Sequence, residues 1–270
     1  MCNLHCSFCP GTVREKRFLS VEEFRHLAQK LRPHTDYLYL HVMGEPLLHP
    51  QLSEILAIAH ELDFRVCLTT NGTLLPKVGD TLLQSEALHK VSISLHSFEG
   101  NNRTEEMTDY LDSVWQFCRK AAPQGILCAL RLWNEGGQEQ RNGEIYDYLS
   151  DKLGFAVASS PVDARGNRRL CDRIFLERAE KFDWPDTAAK EREVQFCHAL
   201  HQQVAVLCDG TVVPCCLDGQ GAIPLGNLFN EDLGDILASP RAKAMAEGFR
   251  QRKPCEELCK KCGYATRFNK

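Results

Sequence analysis

Fourteen cysteines in 270 residues carry the most chemical content of this sequence, and they are unevenly placed. Cys2-x3-Cys6-x2-Cys9 crowds the start, with the aromatic Phe8 directly before the last thiol. Three thiolates on a short loop can hold three irons of a cubane 4Fe–4S cluster and leave the fourth iron open to a small chelating molecule. The same grouping also suits a zinc site short of one ligand. Cys255, Cys259 and Cys262 crowd the end, preceded by Cys197, Cys208, Cys215 and Cys216. Cys67, Cys118 and Cys128 fall in strand or helix patterns and read as small buried apolar residues. Cys208, beside a turn, reads as packing, and Cys171 as a plain loop cysteine. His41, His96 and Asn134 sit at or just past strand positions, where a satisfied core side chain is the ordinary reading. The basic run Arg165, Arg168, Arg169 reads as a solvated face, with an anion-holding role as its alternative.

The rest of the composition narrows the class. No charged segment followed by an apolar stretch opens the chain, so no secretory signal is visible and a cytoplasmic location is expected. In that compartment many cysteines point to metal or redox chemistry rather than to disulfides. Thirty-two basic against thirty-six acidic side chains give a net charge of −4, which argues against nucleic-acid partners. Mean hydropathy is −0.31 and no apolar run approaches the ~20 residues of a membrane span. Hydrophobic content of 43% is enough for a sizeable core.

The elements that must position these residues alternate. Strands are expected at Tyr37–Val42, Arg65–Thr70, Lys90–Leu95, Ile126–Trp133 and Phe155–Ala158. Helices are expected from Ser20 to about Leu31, where Ser20 and Glu23 form a capping box, and at Gln51–Leu62, Thr81–Leu88, Thr104–Ala121 and Glu139–Leu153. Strand and helix in alternation favour parallel pairing through right-handed crossovers. The expected fold is therefore α/β, a partial (β/α) barrel of parallel strands over residues 1–158. Residues 159–196 read as linker and substrate-proximal loops. Residues 197–270 read as a small cysteine-rich hairpin and helix domain, with a hairpin over Val204–Pro214 turning at Asp209-Gly210 and helices at Leu233–Ala238 and Arg241–Phe249.

Cys2, Cys6 and Cys9 followed by Gly44-Glu45-Pro46 resemble the radical S-adenosylmethionine (radical SAM) superfamily, whose signature is CxxxCxxC with an aromatic residue before the last cysteine. The resemblance spans residues 2–158. It implies that Gly44, Glu45 and Pro46 at a strand end touch the SAM amino group, and that Asn71, within Thr69-Thr70-Asn71-Gly72, is similarly placed. Ser94 resembles a polar SAM contact, and Arg131 a basic residue that meets the SAM carboxylate. Members of the family have a first barrel strand before the cysteine loop. Here Cys2 follows Met1, so the barrel is expected to lack that strand, or the chain to be a shortened version of a longer protein.

Cys197-x12-Gly210-x4-Cys215 followed by Cys259-x2-Cys262 resembles a SPASM domain or its shorter twitch relative. This implies four thiolates for one fully coordinated auxiliary 4Fe–4S cluster. Cys255 is an alternative to Cys259 or Cys262, Cys216 to Cys215, and a zinc knuckle is the alternative for the whole set. The two resemblances imply two 4Fe–4S clusters and SAM as cofactors, and reductive cleavage of SAM to a 5′-deoxyadenosyl radical that abstracts a hydrogen atom from a small-molecule or peptide substrate. They also imply a low-potential electron donor such as flavodoxin or ferredoxin. The competing class is a non-catalytic iron–sulfur or zinc-binding scaffold.

Overall fold

A computed structural model describes residues 1–101, 107–137, 141–164 and 166–269. Strands β1 (Tyr37–Leu40), β2 (Arg65–Thr70), β3 (Leu88–Ser94), β4 (Leu127–Glu135), β5 (Arg168–Cys171) and β6 (Ile174–Glu180) form one sheet in the order β1-β2-β3-β4-β6-β5. All neighbours pair in parallel except β5, which runs antiparallel to β6. Helices α1 (Val21–Leu31), α2 (Leu52–Glu61), α3 (Leu75–Leu83), α5 (Met107–Ala121) and α6 (Asn142–Leu153) alternate with the strands, and α4 (His96–Glu99) is a single turn after β3. Period-2 geometry divides the strand side chains between two faces. Val66, Leu68, Val91, Ile93, Leu130 and Leu132 enter the main core, whereas Tyr39, Thr69, Ser94, Arg131 and Trp133 line a cavity on the other face. β1 is an edge strand, and Tyr39 on it is 61% exposed.

The expected start of α1 is present. The Ser20 hydroxyl accepts from the Glu23 amide at 3.1 Å, and the Glu23 carboxylate accepts from the Ser20 amide at 2.8 Å. Three expectations fail. Phe155–Ala158 is not a strand: α6 ends at Gly154 in left-handed conformation (φ 75°), and Val157–Ser159 form a 3-10 turn. The fifth parallel strand is instead β6, inside the stretch expected to be a linker. Its Ile174 and Leu176 enter the core while Glu177 meets cations on the cavity face, so its charges do not mark a loop. The helix expected at Thr81–Leu88 is α3, which begins at Leu75 with Pro76 in its first turn, where proline's missing N–H costs nothing. The expected starts of two helices, Thr104 and Glu139, lie outside the described residues, as does Arg165.

The C-terminal part has its own antiparallel sheet, β7 (Ala205–Val206), β8 (Thr211–Val213) and β9 (Gly226–Asn227). Gly210 (φ 82°) turns the expected hairpin, where a Cβ would collide with Phe229. Helices α7 (Leu233–Ala238), α8 (Pro240–Arg250) and α9 (Glu257–Lys260) follow. Val212, Ile223, Ile236 and Phe249 form a second core that also takes Leu27 of α1, while Phe24 and Ala28 of the same helix belong to the main core. One helix therefore serves both units. Among the described residues no helix is long and apolar enough to cross a membrane.

Candidate active site

The first cysteine loop has no regular structure and is held from outside. The Ser7 amide donates to the Gly100 carbonyl at 2.7 Å, and the His5 amide to Asn101 Oδ1 at 2.8 Å. Asn101 Nδ2 reaches Cys6 Sγ at 3.1 Å and the Ser97 carbonyl at 2.6 Å. The Phe8 ring lies 5.0 Å from that of His96, centroid to centroid. Burial pushes the Cys6 thiol up, and nearby Cys9 and Cys2 push in the same direction against the Asn101 hydrogen bond. The three thiols are thus electrostatic neighbours. Backbone amides of Leu4 and Gly11 point at Cys2 and Cys9 Sγ, each at 3.5 Å. Amide-to-sulfur contacts of this kind stabilise thiolates in iron–sulfur sites.

The strand ends beside the loop are tied together by Glu45, which is only 4% exposed. Its carboxylate accepts from the Leu47 amide at 3.0 Å, Thr70 Oγ1 at 2.7 Å and the Asn71 amide at 2.8 Å. Burial raises its pKa and these three donors oppose the rise. A carboxylate offers about four lone-pair sites, so one remains. Gly44 adopts φ 119°, and a Cβ there would lie 2.5 Å from the Met1 carbonyl. That carbonyl accepts from the Glu45 amide at 2.8 Å. Asn71 Nδ2 donates to Asn3 Oδ1 at 2.9 Å, and Asn3 Nδ2 to Thr73 Oγ1 at 2.9 Å. Residues Gly44 to Pro46 and Asn71 therefore adjoin the cysteine loop. Ser94 and Arg131 line the cavity beyond it.

Arg131 sits among charges. Its Nε meets Glu177 at 3.1 Å, and Lys90 meets the same carboxylate at 2.7 Å. The two cations hold Glu177 below its ordinary range despite burial. Of these three charged groups only Arg131 lines the cavity. His96 Nδ1 lies 3.1 Å from the Arg131 carbonyl, and burial drives its pKa down to about 4. Half-buried His96 and buried Asn134, which bonds Glu99 and Asn142, are satisfied side chains as expected. His41 is not: its Nδ1 is buried without a partner among the described residues, and burial with Arg131 nearby lowers its pKa to about 4.

In the C-terminal part, Cys197, Cys215, Cys259 and Cys262 act on one another. Burial pushes the Cys215 thiol up to about 12, with Cys216, Cys197 and Cys262 adding to it. Cys259 rises through burial, then through Cys215, Cys197 and Cys262. Such thiols give up protons when a metal binds. The Ala199 amide points at Cys197 Sγ at 3.5 Å. Among the described residues no three ligand-type side chains stand at the spacing that holds a single ion. Cys216 is half-buried near Arg131 and Cys197, and Cys255 is exposed.

Cys67, Cys118 and Cys128 are buried as expected, but Cys208 is exposed rather than packed. Cys171 belongs to β5, not a loop, because the turn at 172–173 folds it against Ile174. Arg168, expected on a solvated face, is 8% exposed and donates to the Ser160 carbonyl; Arg169 stays exposed in an ion pair with Asp172. The contacts of Asn3, Thr70 and Asn101 were missed. Adjacency to Cys2 and Asn71 could have signalled the first two; nothing in the sequence marks Asn101.

A cavity of about 980 Å³ is lined by Phe8 of the first cysteine loop and by Cys197, Cys215, Cys216, Cys259 and Cys262 of the second group. The radical SAM superfamily model matches residues 1–141, and that of the SPASM iron–sulfur cluster-binding domain matches residues 197–263. Fe-coproporphyrin III synthase of Methanosarcina barkeri is 28% identical over 198 residues, 67% of this chain and 49% of that protein. GTP 3′,8-cyclase of Chlorobaculum tepidum is 34% identical over 103 residues, 36% of this chain and 31% of that protein. The chain spans about half the length of the first and a third of the second. SuiB of Streptococcus suis bound to its precursor peptide SuiA superposes with a TM-score of 0.62 at 18% identity, covering 97% of this chain and 67% of SuiB. BtrN in complex with AdoMet and 2-DOIA gives 0.60 at 16% identity, covering 97% and 88%. These two likenesses show the fold. The matched domains make 4Fe–4S clusters and SAM the cofactors, and the thiol groups fit them. The chain belongs to the radical SAM superfamily and carries a SPASM iron–sulfur cluster-binding domain.

Proposed function

We propose that this chain cleaves SAM reductively at its first cysteine loop and abstracts a hydrogen atom from a substrate held in the cavity, with the second cysteine group taking part in the substrate's oxidation or modification. The observation that carries this reading is the one cavity reaching from Phe8 to Cys215, Cys259 and Cys262. Cys2, Cys6 and Cys9 are the three ligands of the SAM-binding cluster, and Cys197, Cys215, Cys259 and Cys262 the four of the auxiliary one. When bound, the first cluster supplies the electron that splits SAM into methionine and a 5′-deoxyadenosyl radical. The protein's part is to bind, orient and exclude water. Gly44-Glu45-Pro46 and Asn71 hold the SAM ammonium end, Phe8 and Ser94 flank it, and Arg131 meets its carboxylate. A low-potential donor such as flavodoxin or ferredoxin supplies the electron.

The test is SAM turnover by anaerobically reconstituted, dithionite-reduced protein. Methionine and 5′-deoxyadenosine should form, and should still form when Cys197, Cys215, Cys259 and Cys262 are all replaced by alanine in a chain shown by circular dichroism to be folded. Iron-loaded wild-type protein that leaves SAM intact overturns the reading.

A further inference from the structure

Charge is unevenly spread along this chain. Residues 241–270 carry nine basic against three acidic side chains, in a protein whose whole carries −4. Such an excess on one segment makes a local field that steers an oppositely charged partner. Part of it is neutralised within the segment, where Arg241 pairs with Glu256, Arg250 with Glu247 and Lys260 with Glu257. Lys243, Arg252 and Lys253 are exposed and make no ion pair among the described residues. Arg252 donates only to the neutral Gln195 Oε1, at 3.4 Å.

These cations border a second cavity, of about 730 Å³, against the C-terminal part of α8. Its lining combines apolar Phe196, Leu200 and Phe249 with Lys243, Arg250 and Arg252. Among the described lining residues the single acid is Glu247, already paired by Arg250. Of the four auxiliary thiols Cys197 alone lines this cavity, and it lines the larger one as well. The second cysteine group is therefore approached from two sides, one of them bordered by exposed cations. Arg252 stands there against its backbone preference. It follows Gln251, the C-cap of α8, in left-handed conformation (φ 58°), with its amide donating to the Phe249 carbonyl at 3.1 Å. Glycine is the usual occupant of that position, which residues with a Cβ adopt uncommonly.

We infer that the basic face formed by Lys243, Arg252 and Lys253 docks an acidic one-electron carrier protein beside Cys197. Apolar side chains bordered by charge suit a transient interface, small in area and guided by electrostatic complementarity. Cys197 is what singles out an electron carrier among acidic proteins. It is the one thiol the cavity touches, and as a ligand of the auxiliary cluster it belongs to a centre whose chemistry is one-electron exchange. The inference rests on the reading of Cys197 as such a ligand in the function proposed above.

The test is titration calorimetry of the reconstituted full chain, under anaerobic conditions, with two acidic carriers, oxidised flavodoxin and a 2Fe–2S ferredoxin. Cytochrome c, a basic carrier, and polyglutamate, acidic without a redox group, are the controls. At least one acidic carrier should bind more tightly than either control, and should weaken as salt rises from about 0.05 to about 0.3 M. The Lys243→Gln, Arg252→Gln, Lys253→Gln triple variant should bind that carrier on the order of tenfold more weakly, at unchanged iron content. Lys77→Gln, which removes an exposed cation on α3, should bind it as wild type does. Carbodiimide coupling of the carrier's carboxylates to wild-type chain should join Lys243 or Lys253, and this readout needs no variant to fold. Coupling at Lys16, beside the first cysteine loop, in place of these lysines overturns the inference, as does binding of neither acidic carrier. Polyglutamate binding equal to the carrier's overturns the assignment to an electron carrier. An unchanged affinity with a lowered melting temperature in the triple variant would assign the cations to the C-terminus of α8, where the helix dipole favours them. Dithionite-driven SAM cleavage by wild-type protein uses no carrier and reports separately on the functional reading beneath.

Discussion

Glu45 braces the fold, and the SAM contact proposed for it would use the lone-pair site left over. Three of its lone-pair sites hold the Leu47 amide, the Thr70 hydroxyl and the Asn71 amide, and the last is free for the SAM ammonium. Glu45→Ala leaves buried donors unpaired at roughly 1–3 kcal/mol each. It should therefore lower the thermal midpoint and also raise the SAM dissociation constant at least tenfold, with iron content unchanged. A lowered midpoint with an unchanged dissociation constant would assign the carboxylate to the fold alone. The two cavity histidines set a pH dependence of known sign. Burial takes His41 and His96 from an ordinary 6.5 down to about 4. Between those values the unfolded chain takes up protons that the folded chain refuses, so stability is present above 6.5 and is lost as pH falls toward 4. The drop in melting temperature from pH 7 to pH 5 should be smaller in His96→Gln than in wild type. An equal drop would show that His96 titrates in the fold as it does in water. The radical SAM resemblance implies a ligand contact for Glu45, but not its bracing role. Leu47 lies in Glu45's own turn, but Thr70 and Asn71 become its partners only when β2 and the turn after β1 meet.

At the scale of elements, the short turn α4 decides whether the first cysteine loop is placed. Its Ser97 carbonyl, with Gly100 and Asn101 directly after it, makes the contacts to Cys6 and Ser7, and Gly100 leaves room for Phe8. A Cβ on Gly100 would lie 2.5 Å from Phe8 Cε1, whereas its φ of −61° suits alanine. Gly100→Ala is therefore a steric test without a backbone penalty. About half the iron should be lost, from the first loop, while the SPASM domain keeps its share; full iron retention in the folded variant would show that the loop is placed without α4. Strands β1 to β4 were legible because apolar residues alternate or run unbroken through them. β6 was not, because it falls inside residues 159–196, which read as linker; in the fold its Glu177 is paired by Lys90 and Arg131. The basic run at Arg168 misled in the same way, since its guanidinium turns inward to a carbonyl.

Across the whole molecule, long-range contacts join the N-terminal part to the C-terminal one besides the cavity. Leu27 of α1 enters the C-terminal core. A strap after the first loop is held by Gln220, whose Nε2 donates to the Gly11 carbonyl at 3.0 Å and whose Oε1 accepts from the Val13 amide at 3.2 Å, and by an ion pair between Arg14 and Asp209. The alternation of strands and helices and the two thiol spacings made the partial barrel and its cysteine-rich appendage legible. The strap and shared helix pair residues some 200 positions apart, which no local pattern encodes. The central claim is that this chain holds two 4Fe–4S clusters, of which only the one on Cys2, Cys6 and Cys9 binds SAM. Iron analysis joined to electron paramagnetic resonance of the reduced, reconstituted protein, with and without SAM, tests it most directly. The account predicts about eight irons per chain, a signal that SAM shifts in wild type, and loss of that signal with about half the iron in the Cys2→Ala, Cys6→Ala, Cys9→Ala triple variant. Stoichiometric zinc in place of iron, or a SAM-induced shift that survives in the triple variant, would contradict it.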